Sequence, residues 1–350
     1  MLSQVRIVGS GLIGTSIALG LSSRGVLVQM VDSDPKAQNL ARDLVGAVDV
    51  VAPELVIFAL PSNALPLVIE AEYQLNPHST FMDVGSVKTE PIQHVKDSSL
   101  PLAQFVPTHP MAGREIGGAR GARADLFLLR SWVVTPVPEC EASSLALVQE
   151  LIEILGAEQI TLPADAHDRA VARISHLPQI TASLLAASLR DTPSTWLDLA
   201  GQGVRDTTRI AESDPKLWSE IIYSNRQEIS PLLRSIHSEL GALIESINDK
   251  GELQKFLERG GEGRALIPGK HGGKARAYTY LPIVIDDKPG QLAAIFNECA
   301  LIRVNVEDLS IEHSPGQLSA LITLALSSSD ASTLSDHLSE IGWNVHPILN

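Results

Sequence analysis

The chain has 350 residues, 44% of them hydrophobic and 19% charged, with a net charge of −14. That length suits two or three domains with their own cores, and the acidic balance argues against non-specific nucleic-acid binding, so an anionic ligand would need a local cluster of Arg, Lys or His. Two cysteines without a CxxC (Cys140 and Cys299), no apolar run long enough for a bilayer, and no convincing cleavage site after residues 5–21 point to a cytoplasmic protein without a disulfide framework.

Val5-Arg6-Ile7-Val8 reads as a short buried strand, followed by the glycine-rich turn Gly9-Ser10-Gly11-Leu12-Ile13-Gly14 and an apolar helix to about Arg24. Val26 to Val31 reads as a second strand ending on Asp32. A GxGxxG between a strand and a helix, with an acid at the end of the next strand, is the dinucleotide pattern. Gly9 makes the tight turn, Gly11 lets a pyrophosphate approach the backbone, and Gly14 lets the helix pack closely. The N–H groups of Leu12 and Ile13 open the helix toward the phosphate. Asp32 would accept hydrogen bonds from both ribose hydroxyls and repel a 2′-phosphate, which favours NAD while leaving NADP open. A βαβ turn that binds nothing and a flavin site are the alternatives.

A helix follows Pro35. Leu55 to Leu60, closed by Pro61, reads as a strand buried on both faces; Thr80 to Val84, Phe105 to Pro107 and Trp132 to Thr135 read as further strands, and Ala142 to Leu155 as a helix. The alternation gives an open, mostly parallel sheet with ligands outside its carboxyl ends, where Pro61, Ser86 and His109 converge. From Ala164 to about Glu258 the pattern is helical, with apolar residues such as Leu184, Leu185, Ile236 and Leu240 at three- and four-residue spacing. That surface would be covered by a second subunit or by its own helices. Residues 259–276 are Gly-rich and basic and read as a linker. Tyr278 onward reads β-α-β-β-α-β, a ferredoxin-like module.

Four stretches carry candidate chemistry. His109, in Thr108-His109-Pro110, suits a proton acceptor at neutral pH. Ser86, in Asp83-Val84-Gly85-Ser86-Val87-Lys88, could bond a substrate hydroxyl or His109, and Lys88 reads equally well as a site residue or a solvated lysine. His167-Asp168 and Ser175-His176-Leu177-Pro178-Gln179 share a helix that Pro178 should kink. His176 reads equally well as a site residue or a core histidine, and no metal-ligand motif stands out. Arg205 and Arg209 suggest carboxylate binding.

Taken together, GSGLIGTS at 9–16, DVGSVK at 83–88, THPMAG at 108–113, HDRAVARISHLPQ at 167–179 and RDTTRIAESDPKLW at 205–218 resemble the prephenate and arogenate dehydrogenase family. IDDKPGQLAAIF at 285–296 resembles an ACT regulatory domain. The resemblance implies oxidation of a cyclohexadienol carboxylate by NAD, with loss of carbon dioxide and aromatisation of the ring. It implies His109 and Ser86 as catalytic, Arg209 holding a substrate carboxylate, and His167, His176 and Gln179 shaping the substrate pocket. Relatives often read SHLPH where this chain has Gln179, which leaves arogenate open beside prephenate. The ACT likeness implies an amino-acid effector, tyrosine by hypothesis, near Asp286, Gly290, Leu292 and Asn305, and a homodimer is expected.

The expected architecture is α/β. A Rossmann-type doubly wound sheet occupies 1–162, an all-α substrate and dimerisation domain 163–258, a linker 259–276, and an ACT-like α+β module 277–350. A 3-hydroxyacid dehydrogenase and a non-enzymatic NAD or amino-acid sensor are the competing readings.

Overall fold

The strand β1 (Gln4–Val8) is the axis of the N-terminal sheet, with β2 (Leu27–Val31) on one side and β3 (Leu55–Phe58) on the other, both parallel to it. The structure, a computed structural model, describes residues 2–114, 116–267, 278–286, 288–313 and 319–349. The chain divides into two compact units, Met1–Glu239 and Leu240–Asn350.

Helix α1 (Leu12–Ser22) joins β1 to β2, and α2 (Pro35–Val45) leads from β2 across to β3. Then come α3 (Leu65–Leu75), β4 (Thr80–Asp83), α4 (Thr89–Asp97), β5 (Phe105–Pro110), β6 (Ser131–Val134), α5 (Ala142–Ile154) and β7 (Glu158–Thr161). The sheet order is β2-β1-β3-β4-β5-β6-β7. Strand order therefore reverses between β1 and β3, which opens a crevice at their carboxyl ends. All four residues of β3 are buried, as a parallel strand covered by helices on both faces requires. Two apolar clusters cover the two faces, one built around Ile17, Leu21, Met30 and Leu151, the other around Phe58, Ile69, Phe81 and Val95.

Two elements depart from the sequence reading. β5 runs on through His109 to Pro110, because β6 pairs with it antiparallel, His109 opposite Val133. His109 therefore stands on a strand, not on a loop past its end. β7 is an exposed edge strand of sequence Glu-Gln-Ile-Thr, too polar to announce itself by hydrophobic pattern.

The helical segment begins with α6 (Ala164–Val171), continues through a π-turn (Ala172–His176) and resumes as α7 (Leu177–Ser188). The expected disturbance at Pro178 is this π-turn. The ring lacks an N–H and crowds the preceding turn, which widens into the π-turn that ends two residues earlier. Next are α8 (Ser194–Leu197), α9 (Gln202–Thr208), a 3-10 turn (Arg209–Glu212), α10 (Pro215–Ser224), α11 (Arg226–Glu245) and α12 (Lys250–Ala265). Residues 259–265, read as linker from their glycines, are thus helical. The Asp249 carboxylate caps α12 by accepting from Gly251 and Glu252 N–H, and a Gln254–Glu258 pair supports the next turn. Residues 268–276 of the expected linker lie outside the described residues. No helix among the described residues is long and apolar enough to cross a membrane.

The C-terminal module is β8 (Thr279–Asp286), α13 (Gln291–Leu301), β9 (Asp308–His313), β10 (Ser319–Leu326), α14 (Ser328–Glu340) and β11 (Asn344–Val345). Its antiparallel sheet has the order β11-β8-β10-β9, the ferredoxin-like arrangement. Ile283, Ile295, Leu324 and Leu334 lie in its core.

Candidate active site

The crevice at the sheet reversal is lined by the glycine turn. Gly9 has φ +112°, and a Cβ there would fall 2.2 Å from the Ala59 carbonyl oxygen at the end of β3. A Cβ on Gly14 would fall 2.1 Å from the Gly9 carbonyl oxygen. Both glycines are therefore demanded by protein packing. Gly11 is different: nothing lies within 4 Å of a Cβ built there. The open side of the turn is where a pyrophosphate would lie, against the first N–H groups of α1 at Leu12 and Ile13. The Ser10 hydroxyl is buried without a hydrogen-bond partner. Asp32, just past β2, accepts hydrogen bonds from Ser10 N–H (2.6 Å) and Asp34 N–H (2.9 Å), so its carboxylate is fixed beside the turn. Pro61 is exposed, just past β3. The open cradle, the helix N-terminus and the fixed acid fit a dinucleotide without a 2′-phosphate.

Ser86 is half-buried just past β4, between Gly85 and the buried Val87. One strand over, His109 Nδ1 lies 2.9 Å from His167 Nε2, and His167 Nδ1 lies 2.8 Å from Asp168 Oδ1. Asp168 sits at the N-terminus of α4, accepting from Lys88 N–H and Thr89 N–H at 2.8 Å each. It caps a helix from another part of the chain, where the helix dipole favours a negative charge. Burial raises the Asp168 pKa, but the hydrogen bonds from His167, Thr89 and Lys88 outweigh it and hold the group below its ordinary value.

The chain of bonds assigns the tautomers. An ionised Asp168 only accepts, so His167 carries its proton on Nδ1 and offers Nε2 as acceptor. His109 then donates from Nδ1, and its Nε2 is left with a lone pair. Burial lowers the His109 pKa well below the ordinary value, helped by His167, Lys88 and His176 and opposed by Asp168. The residue is held as a neutral base.

His176 is buried, with Nδ1 3.1 Å from Asn225 Nδ2 and its ring edge-on to Trp218. Asn225 also donates to the Asp168 carbonyl oxygen at 2.8 Å. Burial pulls the His176 pKa down to about 4. Gln179 is buried as well; its Nε2 donates to the Ile210 carbonyl oxygen (2.9 Å) and its Oε1 accepts from the Ser213 hydroxyl (3.4 Å). Both contacts hold the 3-10 turn that carries the exposed Arg209.

His167, which the resemblance implies helps shape the substrate pocket, has both ring nitrogens engaged within the protein, by His109 and Asp168. Lys88, which sequence left between a solvated and a site lysine, is completely buried, and its ammonium bonds Asp83 Oδ2 and the Thr108 carbonyl oxygen. Asn225 had no sequence signal, since it falls between motifs and its partner Asp168 is 57 residues away; Asp83 opens the motif that ends on Lys88, its ion-pair partner. In the C-terminal module Asp286 ends β8 and pairs with Lys288 (2.7 Å), Gly290 caps α13 at φ +93°, Leu292 is exposed in the first turn of α13, and Asn305 bonds Glu307 in the loop before β9.

Family models agree with this division of labour. A prephenate dehydrogenase nucleotide-binding domain matches residues 16–161, and a prephenate dehydrogenase dimerization domain matches 163–259. The probable prephenate dehydrogenase NovF of Streptomyces niveus is 29% identical over 354 residues, 96% of this chain and 98% of the relative. The structure of prephenate dehydrogenase from Aquifex aeolicus in complex with hydroxyphenyl propionate and NAD+ is 26% identical, with a TM-score of 0.68 over 75% of this chain and 98% of that one. Synechocystis arogenate dehydrogenase is 27% identical, with a TM-score of 0.63 over the same shares. With both domain models of one family matched one after the other, and the histidine chain falling inside them, this chain belongs to the prephenate dehydrogenase family.

Proposed function

We propose that this protein is an NAD-dependent prephenate dehydrogenase, an oxidoreductase that oxidises a ring carbinol with loss of carbon dioxide. The observation that carries the reading is the His109–His167–Asp168 chain, which presents a neutral imidazole at the carboxyl end of β5, two strands from β3 and the dinucleotide crevice. When bound, NAD supplies the hydride acceptor. His109 Nε2 takes the proton of the ring hydroxyl as that bond to hydrogen breaks; its Nδ1 stays bonded to His167, and the Asp168 carboxylate favours the resulting imidazolium. Ser86 places the hydroxyl. Arg209 holds a substrate carboxylate, with the guanidinium geometry suited to a bidentate pair. The glycine turn and Asp32 hold the dinucleotide.

Arogenate is the second reading, favoured by the amide at Gln179, which can accept from an ammonium group. The likeness to Synechocystis arogenate dehydrogenase keeps it open. NADH formation at 340 nm, with prephenate and arogenate side by side, decides between them. Silence with both substrates and with NAD and NADP alike would sink the reading. His109→Asn should lower turnover at least about a hundredfold with dinucleotide binding kept.

The same proposal extends to assembly and control. Leu184, Trp196, Leu199 and Tyr223 are each more than 60% exposed in one chain, an apolar surface suited to a homodimer. The C-terminal module is proposed as an ACT-like regulatory domain with tyrosine as effector, near Asp286, Gly290, Leu292 and Asn305. Light scattering reads the first, and calorimetry with tyrosine the second.

A further inference from the structure

Lys88 is the least exposed cation of the site, and its surroundings are unusual for an ammonium. Relative exposure is 0%, and Nζ bonds the Asp83 carboxylate and, at 2.5 Å, the Thr108 carbonyl oxygen. Thr108 in turn donates its hydroxyl to the Asp83 carbonyl oxygen at 2.8 Å. Thr108 is the residue before His109 on β5. At its other end, Lys88 gives its main-chain N–H to Asp168 Oδ1, the last member of the histidine chain. We propose that Lys88 is a positioning residue for the general base, holding both ends of the His109–His167–Asp168 chain at once. Its ammonium fixes the strand that carries His109, and its amide fixes the carboxylate that orients His167.

The physical case rests on cost. A buried ammonium is expensive to desolvate, and breaking such a pair from one side leaves an uncompensated buried charge. A methionine of similar length would fill the same space without that penalty, so packing alone does not explain a lysine. What the charge adds is a rigid cross-link between β4, β5 and the start of α4, and a fixed positive potential beside His109. The groups facing His109 are Lys88 from the start of α4, His167, Asp168 and His176 from the α6–α7 segment, with Asp83 behind Lys88 on β4. His167, Lys88 and His176 disfavour an imidazolium there, and Asp168 favours it.

The inference rests on the reading of His109 as a base, so its test includes a measurement without substrate. Histidine-labelled full-length protein is titrated by NMR, with His109 assigned by its absence in His109→Asn. In Lys88→Met the His109 titration should move upward by on the order of one pH unit. The acid limb of kcat/KM should move with it, and kcat should fall about tenfold or more with KM and NAD affinity within about twofold. If Lys88→Met does not fold, Asp83→Asn/Lys88→Met removes both buried charges and takes the same measurements, the fall in kcat being the decisive one. A folded variant with unchanged titration and unchanged kcat overturns the proposal and leaves Lys88 a core cross-link only. Wild-type silence toward both substrates, with the NMR shift present, would remove the enzyme reading and keep the positioning role.

Discussion

The His109 ring meets the His167 ring nearly edge-on, at an interplanar angle of 77°, with Nδ1 and Nε2 2.9 Å apart. Because Asp168 takes the far nitrogen of His167, the pair is polarised in one direction. His109 receives no donor on its own Nε2 from this chain of bonds, which leaves that nitrogen for the reacting hydroxyl.

Replacing His167 by alanine should therefore act on turnover more than on binding. Without its partner, His109 can rotate or adopt the other tautomer, and its Nε2 is then protonated in part of the population. A fall in kcat of about ten- to a hundredfold with KM within about threefold is expected from steady-state kinetics. A rise in KM at constant kcat would instead return His167 to the pocket-shaping role that the resemblance implies.

Acid should weaken the fold through the same histidines. In the unfolded chain His176 titrates near 6.5, while in the folded protein it stays neutral down to about 4. His109 is lowered in the same direction. Between these limits the unfolded state binds more protons, so stability is complete above about pH 6.5 and declines as pH falls toward 4. His176 alone accounts for about 3 kcal/mol over that window. Urea unfolding at pH 7.5 and 4.5 measures it, and His176→Asn should flatten the dependence while costing stability at neutral pH. Equal stability of the wild type at both values would contradict the buried neutral state.

Much of this was legible in the chain because it is local. The glycine turn, Asp32 and the apolar strands carry their meaning in spacing, and the C-terminal β-α-β-β-α-β order follows from alternation and turns. What stayed hidden is non-local. Lys88 looks solvated beside Thr89 and Glu90, yet Asp83 and Thr108 converge on it from two strands. Asp168 looks like a helix-surface acid, yet it caps α4, 79 residues away. His109 was placed past a strand end because the antiparallel partner β6 comes later in the chain and extends β5.

Gln179 offers a sharper test of substrate choice than its chemistry alone suggests. Its amide is engaged on the turn that carries Arg209, through Ile210 and Ser213. If that is its main work, Gln179→Ala should raise KM for prephenate and arogenate by the same factor, about three- to tenfold. The change is in the direction of Arg209→Ala but smaller, since Arg209→Ala loses the carboxylate contact itself. A loss confined to arogenate would show that Oε1 reads the ammonium group.

Finally, the glycine turn separates cofactor binding from folding at two positions three residues apart. At Gly14 an added methyl would strike the Gly9 carbonyl oxygen, a backbone atom that cannot swing away. Gly14→Ala should cost on the order of 2 kcal/mol or more, read as a lowered thermal midpoint. At Gly11 the backbone has φ −74°, which any residue adopts, and the methyl would enter open space. Gly11→Ala should keep the thermal midpoint within about 2 °C in the absence of dinucleotide. It should raise the dissociation constant for NAD at least about tenfold, because the methyl occupies the approach to the α1 N-terminus. Calorimetry with NAD and a melt of the free protein read the two effects independently. Unaltered NAD affinity in Gly11→Ala would mean that the pyrophosphate does not lie on this turn.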